Sequence, residues 1–333
     1  MGLSLNQAAE VAIARMTAPV APTLRTRGLA IGVAVALTVL QLLVLPVALR
    51  DQLYWLSVAT NANVLSVGAL GLWLMFSIGR IDIAQGAFAA IGGYATAILS
   101  TRYGVSFWVC LPISALVSAV VAALIGLPIL RLRGVYFSMI TLSLTEVTRL
   151  LMLNGGALTN GVDGFSNIPQ AVLLDGPIQF YLLSAVLVLL GALLIWRISA
   201  SRIGSVFRSM RQNEDLASSL GIDITRYRII AFAIASGMGG IAGSFFAESQ
   251  QNIFPGTYTI SDSISFMLYC FLGGLDFVLG PVAGAWLLVF AFEFLDALQR
   301  YQSLLYGVLM ITVMLFLPNG LLSVFLRRRK AHR

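Results

Sequence analysis

Lysine occurs once in the 333 residues, as Lys330, and histidine once, as His332. With one lysine at the far end, no G-x-x-x-x-G-K-[ST] phosphate loop can form, so any ATP that drives this chain must bind another subunit. Cysteine is almost as scarce: Cys110 and Cys270 sit far apart inside apolar runs. No Cys/His metal cluster and no disulfide framework follow from that pair, and an intramembrane enzyme lacks a Ser/His or Cys/His couple. Charge is scarce too, at 11% of residues, against roughly 25% in a soluble domain. What replaces it is 59% hydrophobic residues and a mean hydropathy of +0.91. A water-soluble fold of this length has no interior large enough for so much apolar surface, so lipid is the solvent for most of the chain. Soluble enzymes, disordered tails and secreted disulfide scaffolds are excluded. The net charge of +7 reads as arginines anchoring helices on one side of a bilayer rather than as a nucleic-acid surface.

Uncharged stretches give an all-α polytopic membrane protein of about ten transmembrane helices, some short or broken. Spans are expected at 28–49, 53–79, 83–101, 103–130, from Gly134 to about 153, at 177–196, 229–247, 263–275, 277–292 and from Tyr301 to about Leu317, where Pro318-Asn319-Gly320 signals a turn. The 263–275 stretch is too short for a full crossing, so a short or broken helix is expected there. Residues 1–27 read as a cytoplasmic lead-in, since Glu10 and Arg15 interrupt any signal-peptide core. Residues 28–326 form the permease domain, with a polar loop at 154–176 and an arginine-rich segment at 197–228, and 327–333 form a basic tail. With both termini in the cytoplasm, 17 of the 21 basic residues fall inside, three fall outside (Arg50, Arg102, Arg300), and Arg149 lies within a span. That bias supports an even number of crossings.

A weak internal repeat recurs at two places. Gly79 through Gly86 and Gly273 through Gly280 both read G-x-x-D-x-x-x-G, and each opens a helix rich in small residues. Repeats with broken helices are common in transporters, so Asp82, Gln85, Gly86, Gly274 and Asp276 are candidates for the translocation path or its gate. Glu146 and Arg149, three apart and therefore on one helix face, are further candidates; the plain alternative is a structural ion pair. Glu293 is another acid within a span, without an obvious local partner. Gly237 to Ala242 fits a dinucleotide fingerprint by letters alone. Inside an apolar span, small residues every four positions (Ser236, Gly240 and Ser244, or Gly239 and Gly243) instead let helix backbones approach, as do Ala89, Gly93 and Ala97.

The segment 202–228, RIGSVFRSMRQNEDLASSLGIDITRYR, is the most specified. Asn213 can cap a short helix whose first turn carries Glu214 and Asp215, where an acid is worth about 0.3–1 kcal/mol against the helix dipole. Gly221 is placed to end that helix in a left-handed cap, with Ile222 as its apolar contact. A compact helix–turn–helix on the cytoplasmic face is expected, a docking element for the missing ATPase.

Six stretches now stand together: GRIDIAQGAFAAIGGYATAIL (79–99), GLPILRLRGVYFSMITLSLTEVTRLLM (126–152), LTNGVDGFSNIP (158–169), GSVFRSMRQNEDLASSLGIDITRYRIIAFAIASGMGGIAGSFFA (204–247), GGLDFVLGPVAGAWLL (273–288) and LPNGLL (317–322). In order and spacing, from about residue 60 to 322, the chain resembles the LivM-type permeases, membrane subunits of ABC importers for branched-chain amino acids and related compounds. The resemblance implies a bacterial inner-membrane subunit paired with a homologous permease, two cytoplasmic ATPases and a periplasmic binding protein. ATP and magnesium would be bound by the ATPases, and no cofactor or metal by this chain. It further implies that Gly204, Arg208, Arg211, Asn213, Glu214, Ala217 and Gly221 couple to the ATPase, and that Thr159, Gly161, Asp163 and Gly164 face the binding protein. Family relatives also carry urea and short amides, and a sugar permease or a proton-coupled transporter using Glu293 or Glu146 are the alternatives. The Arg-Arg-Arg-Lys tail closes the chain quickly compared with the family's polar cytoplasmic end, and no fused ATPase or binding domain is expected.

Overall fold

The computed structural model describes residues 52–132, 134–171 and 176–294, with Gln41, Pro46, Leu304, Leu305, Gly307 and Val308 as isolated positions. The chain divides into units Met1–Val44 and Leu45–Arg333, and the bundle belongs to the second. Apart from those isolated positions, the lead-in at 1–27, the spans at 28–49 and from 301 to about 317, the turn at Pro318 and the basic tail lie outside the described residues.

In lipid every backbone group must find its partner within the protein, and a helix supplies most of them at once. Helices α1 (Leu53–Ser77), α2 (Gln85–Tyr103), α3 (Phe107–Ile129) and α4 (Val135–Asn154) lead to β1 (Phe165–Ser166). After it come α5 (Pro177–Ala200), α6 (Arg202–Gln212), α7 (Glu214–Ser219) and α8 (Ile224–Gln250). The described chain closes with β2 (Asn252–Ile253), α9 (Ile260–Gly273) and α10 (Gly280–Phe294). Five of these, α1, α3, α4, α5 and α8, are long and apolar enough to cross a membrane. The expected all-helical architecture gains one small exception, an antiparallel pair in which Phe165 faces Ile253 and Ser166 faces Asn252.

Helix α8 is the centre: it packs along α1, α2 and α3, while α1 also contacts α5, α9 and α10. The small-residue reading of 236–244 holds. A Cβ on Gly243 would overlap the Ala89 carbonyl, and one on Gly92 would overlap the Gly240 backbone. The α2–α8 crossing therefore has backbone against backbone, which only glycine permits. Thr96, Ser114 and Ser244 close the same crossing with hydroxyl hydrogen bonds of 2.7 and 2.6 Å.

Several helix ends differ from the sequence expectation. Helix α2 starts at Gln85, not Ile83, because residues 80–84 are not helical, with Ala84 as the N-cap at φ −98° and ψ 8°. Helix α8 starts at Ile224, capped by Asp223 Oδ1 accepting from the Arg226 N–H at 3.1 Å. Arg228, expected in the connector, thus lies in the second turn of a long helix and is buried. Helix α9 has 14 residues, roughly 21 Å at 1.5 Å per residue and short of a hydrocarbon core of about 30 Å, as its apolar stretch implied.

Candidate functional site: two helix breaks and a short capped helix

Helix α1 ends where Gly79 takes φ +79° and the Arg80 N–H reaches back to the Met75 carbonyl at 3.1 Å. This Schellman-type stop leads the chain into a non-helical segment, where the backbone groups of Ile81 and Ile83 have no helical partner. Hydroxyls of α4 supply the partners. Ser138 Oγ donates to the Ile81 carbonyl at 2.8 Å, Thr141 Oγ1 accepts from the Ile83 N–H at 3.1 Å, and Thr145 Oγ1 donates to the Ile83 carbonyl at 3.1 Å. Ser263 of α9 accepts from the Gly86 N–H at 3.0 Å and lies 3.1 Å from Thr145 Oγ1. Spacings of three and four along α4 put these hydroxyls on one face.

The candidates Asp82, Gln85 and Gly86 come together at this break, and all three are buried. Asp82 Oδ1 accepts from the Ala84 N–H at 2.9 Å and so orders the start of α2; its other oxygen has no partner among the described residues. Gln85 ties three helices: Nε2 donates to the Gly68 carbonyl at 2.8 Å and to the Ala235 carbonyl at 3.1 Å. Gly86 has Ser263 where a side chain would stand.

The second copy of the motif makes the second break. Gly274 has φ +107°, and Trp73 Nε1 donates to the Leu275 carbonyl at 2.9 Å. Gly274 is buried, but Asp276 is exposed, unlike Asp82. Both motifs therefore interrupt a helix, one at its first glycine, Gly79, and the other at its second, Gly274, and they differ in the setting of their acids.

The helix–turn–helix forms as read. Asn213 Oδ1 accepts from the Leu216 N–H at 3.0 Å, Gly221 has φ +83°, and the Ile222 N–H reaches the Ala217 carbonyl at 3.3 Å. Ala217 faces the bundle at 2% exposure, while Leu216 and Leu220 point outward at 60% and 74%. Gly204 packs under the end of α5, where a Cβ would overlap the Ser199 carbonyl. Arg208 folds back, Nη1 donating to the Ser199 carbonyl at 2.7 Å, whereas Arg211 is exposed and backs onto Gly79.

Glu214 does more than its first-turn position suggested. Its Oε1 lies 3.2 Å from Arg80 Nη2, and its Oε2 pairs with Arg228 Nη2. Arg80 also donates to the Leu132 carbonyl and stands 5.7 Å over the Phe137 ring, and Arg228 donates to the Leu130 carbonyl at 3.1 Å. One carboxylate thus ties α7 to the first break, to the end of α3 and to the start of α8. Sequence reasoning missed Arg80 and Arg228. The signal was an arginine inside the first break motif, but its partner is 134 positions away.

Glu146 and Arg149 pair with each other on α4, away from both breaks, through Nε at 3.1 and 3.0 Å and Nη2 at 2.6 Å. Glu293 has a partner after all, accepting from the Tyr54 hydroxyl. Glu248, not singled out in the sequence, is buried and accepts from the Ala171 N–H at 2.7 Å, pinning the 165–171 loop to the end of α8. In the stretch just before it, 155–164, Thr159 and Gly164 are buried and Asp163 is exposed, with Gly161 between. Thr159 Oγ1 donates to the Met152 carbonyl at 2.6 Å, and Gly164, at φ +57°, lies against the Ile253 carbonyl. A cavity of about 300 Å³ opens beside this end, lined by Ser57, Thr60, Asn61, Gln170, Ser249 and Gln250.

Residues 54–314 match the family described as "Branched-chain amino acid transport system / permease component". The high-affinity branched-chain amino acid transport system permease protein LivM of Salmonella typhimurium is 32% identical, with 80% of this chain and 69% of that protein covered. The probable branched-chain amino acid transport permease protein LivH of Methanocaldococcus jannaschii is 23% identical, covering 81% and 91%. The autoinducer 2 import system permease protein LsrC of Escherichia coli O157:H7 is 27% identical, covering 89% and 90%. No solved structure matches the chain.

Proposed function

The chain belongs to the family of branched-chain amino acid transport permeases, and from that premise we propose that it is the inner-membrane permease subunit of an ATP-driven importer of branched-chain amino acids. It is a multi-pass membrane protein and a transport subunit, not an enzyme. On this reading it pairs with a second, homologous permease, receives substrate from a periplasmic binding protein, and works with two cytoplasmic ATPases that bind ATP and magnesium. Helices α6 and α7 face the cytoplasm and dock the ATPase, and the loop 155–169 faces the binding protein. Both termini are cytoplasmic, and the crossings number ten.

One observation carries the reading. A six-residue helix, capped at both ends, turns Leu216 and Leu220 outward and is fastened by Glu214 to a helix break in the bundle. Exposed leucines on a rigid short helix suit a groove in a partner. An acid shared between Arg80 and Arg228 passes displacement of that helix to the break at 78–84 instead of letting it slide. No side chain here makes or breaks a covalent bond, so the chain's work is conformational. The substrate follows the relatives named for branched-chain amino acids, LivM being more similar than the permease named for autoinducer 2 import.

The test is reconstitution. Proteoliposomes holding the assembled complex should take up leucine only with ATP and binding protein. Uptake by this chain alone, driven by a pH gradient, would overturn the proposal.

A further inference from the structure

Glu146 and Arg149 lie in the second half of α4, and they face outward. Their side chains are 38% and 28% exposed, in a stripe with Met139, Ser143, Val147 and Leu150. The other side of α4 carries Thr141, Thr145 and Thr148, all buried. Hydrocarbon against the outward stripe would hold two charges within the span, which is expensive, and such groups characteristically face a partner or a water-filled cavity. On the permease reading above, the occupant of this face is the second permease subunit, with an aqueous gap between the two.

The pair retains binding capacity. Arg149 spends Nε and Nη2 on Glu146, which leaves the N–H groups of Nη1 and the outer lone pairs of the carboxylate. A cation and an anion held side by side complement a group carrying both charges. An α-carboxylate fits the free guanidinium edge, and an α-ammonium fits Glu146. Leu142 and Leu150 lie four residues either side of Glu146, the spacing of neighbours on a helix surface, and offer apolar flanks to an aliphatic side chain. We infer that Glu146 and Arg149 form a station on the translocation path that recognises the zwitterionic head group of α-amino acids. The inference rests on the permease reading above and adds to it the residues and the chemistry recognised.

The experiment uses the assembled importer in proteoliposomes, with leucine-loaded binding protein. Arg149→Gln and Glu146→Gln should each lower leucine uptake by about tenfold or more, as loss of a charged hydrogen-bond partner implies, while the ATPases still co-purify. The double exchange Glu146→Arg with Arg149→Glu restores an ion pair but reverses its polarity against the same flanks, so uptake should stay low. Recovery in that double variant would mark a structural pair and overturn the inference. In a chain carrying Cys110→Ala and Cys270→Ala, Ser143→Cys should react with a membrane-impermeant thiosulfonate, more slowly when leucine-loaded binding protein is present. Absence of reaction there would put the stripe in lipid and also overturn it. Failure of the unmodified complex to import leucine would remove the permease reading and this inference with it. Normal wild-type uptake, undiminished in both single variants, removes this inference alone.

Discussion

Replacing Glu214 by alanine separates two accounts of the docking helix. If the acid served only the dipole of α7, its loss would cost about 0.3–1 kcal/mol. The structure instead gives it two guanidiniums, Arg80 and Arg228, whose side chains are 5% and 8% exposed. Removing one partner of a buried ion pair costs roughly 3–5 kcal/mol, because the opposite charge stays behind. Glu214 itself is 22% exposed, so solvent screening puts the value at the lower end, about 3 kcal/mol. That energy acts on the seat of one short helix. The α2–α8 crossing, which holds the bundle, is untouched, so membrane abundance should stay near normal. A bias of about 3 kcal/mol is roughly a hundredfold change in the population of the docked position. Co-purification of the ATPase and ATP-driven uptake should both fall by about tenfold or more. Glu214→Gln, which keeps hydrogen bonds but not charge, should fall between. If Glu214→Ala associates and transports within about twofold of the native chain, a difference below roughly 0.5 kcal/mol, the ion pairs are ornamental and the mechanical argument is wrong.

Other perturbations have equally definite outcomes. Gly221→Val meets no neighbouring atom but must hold φ +83°, a strain of about 1–3 kcal/mol; abundance should persist while ATPase co-purification drops, and Gly221→Asn should be milder, as asparagine tolerates that region. Gly243→Ala drives a Cβ into the Ala89 carbonyl, so the α2–α8 crossing must open and detergent-extracted folded protein should be lost, whereas Gly256→Ala, with open space around it, should behave as native. In a chain without Cys110 and Cys270, Asp163→Cys should be labelled only from the periplasmic side and Leu220→Cys only from the cytoplasmic side; labelling of both from one side would refute the topology. Thr145→Val removes a hydroxyl shared with Ile83 and Ser263, a loss of about 0.6–1.7 kcal/mol in a membrane interior, seen as a lower thermal midpoint of the purified chain.

What was legible in the sequence was local. The cap at Asn213, the first-turn acids and Gly221 fall within nine residues, and each works through the next turn of backbone, so their letters suffice. The glycine and serine spacing in 236–244 was legible for the same reason: close approach needs small residues on one face, whichever helix supplies the other side. Spans with few charges were legible by length. The helix start at Ile83 was misplaced by two residues because Ile81 and Ile83 are as apolar as a span, and hydropathy does not distinguish non-helical backbone from helix. What holds that backbone out of a helix is the hydroxyl row of α4, which as sequence is only Ser and Thr in an apolar run.

The two break motifs show where such letters run out. Both break a helix at a glycine of positive φ and start a new helix within seven residues, but that glycine is the first letter of one motif, Gly79, and the second of the other, Gly274, so shared letters do not fix the same backbone position. Their acids differ too: Asp82 is buried, while Asp276 is exposed. Arg80 in the first motif finds Glu214, and the second motif has Gly274 at the corresponding position. An acid-bearing docking helix can therefore pull directly on the first break and not on the second. The asymmetry makes a final prediction. Arg80→Met should disturb coupling as Glu214→Ala does, and combining the two should add less than the sum of their separate effects, because each removes the same link. Gly274→Arg would not recreate that link, since φ +107° at that position excludes an arginine side chain without strain. Additive losses in the Arg80→Met, Glu214→Ala pair would mean that the arginine and the acid act on separate elements, and that the break at 78–84 is not the one the docking helix moves.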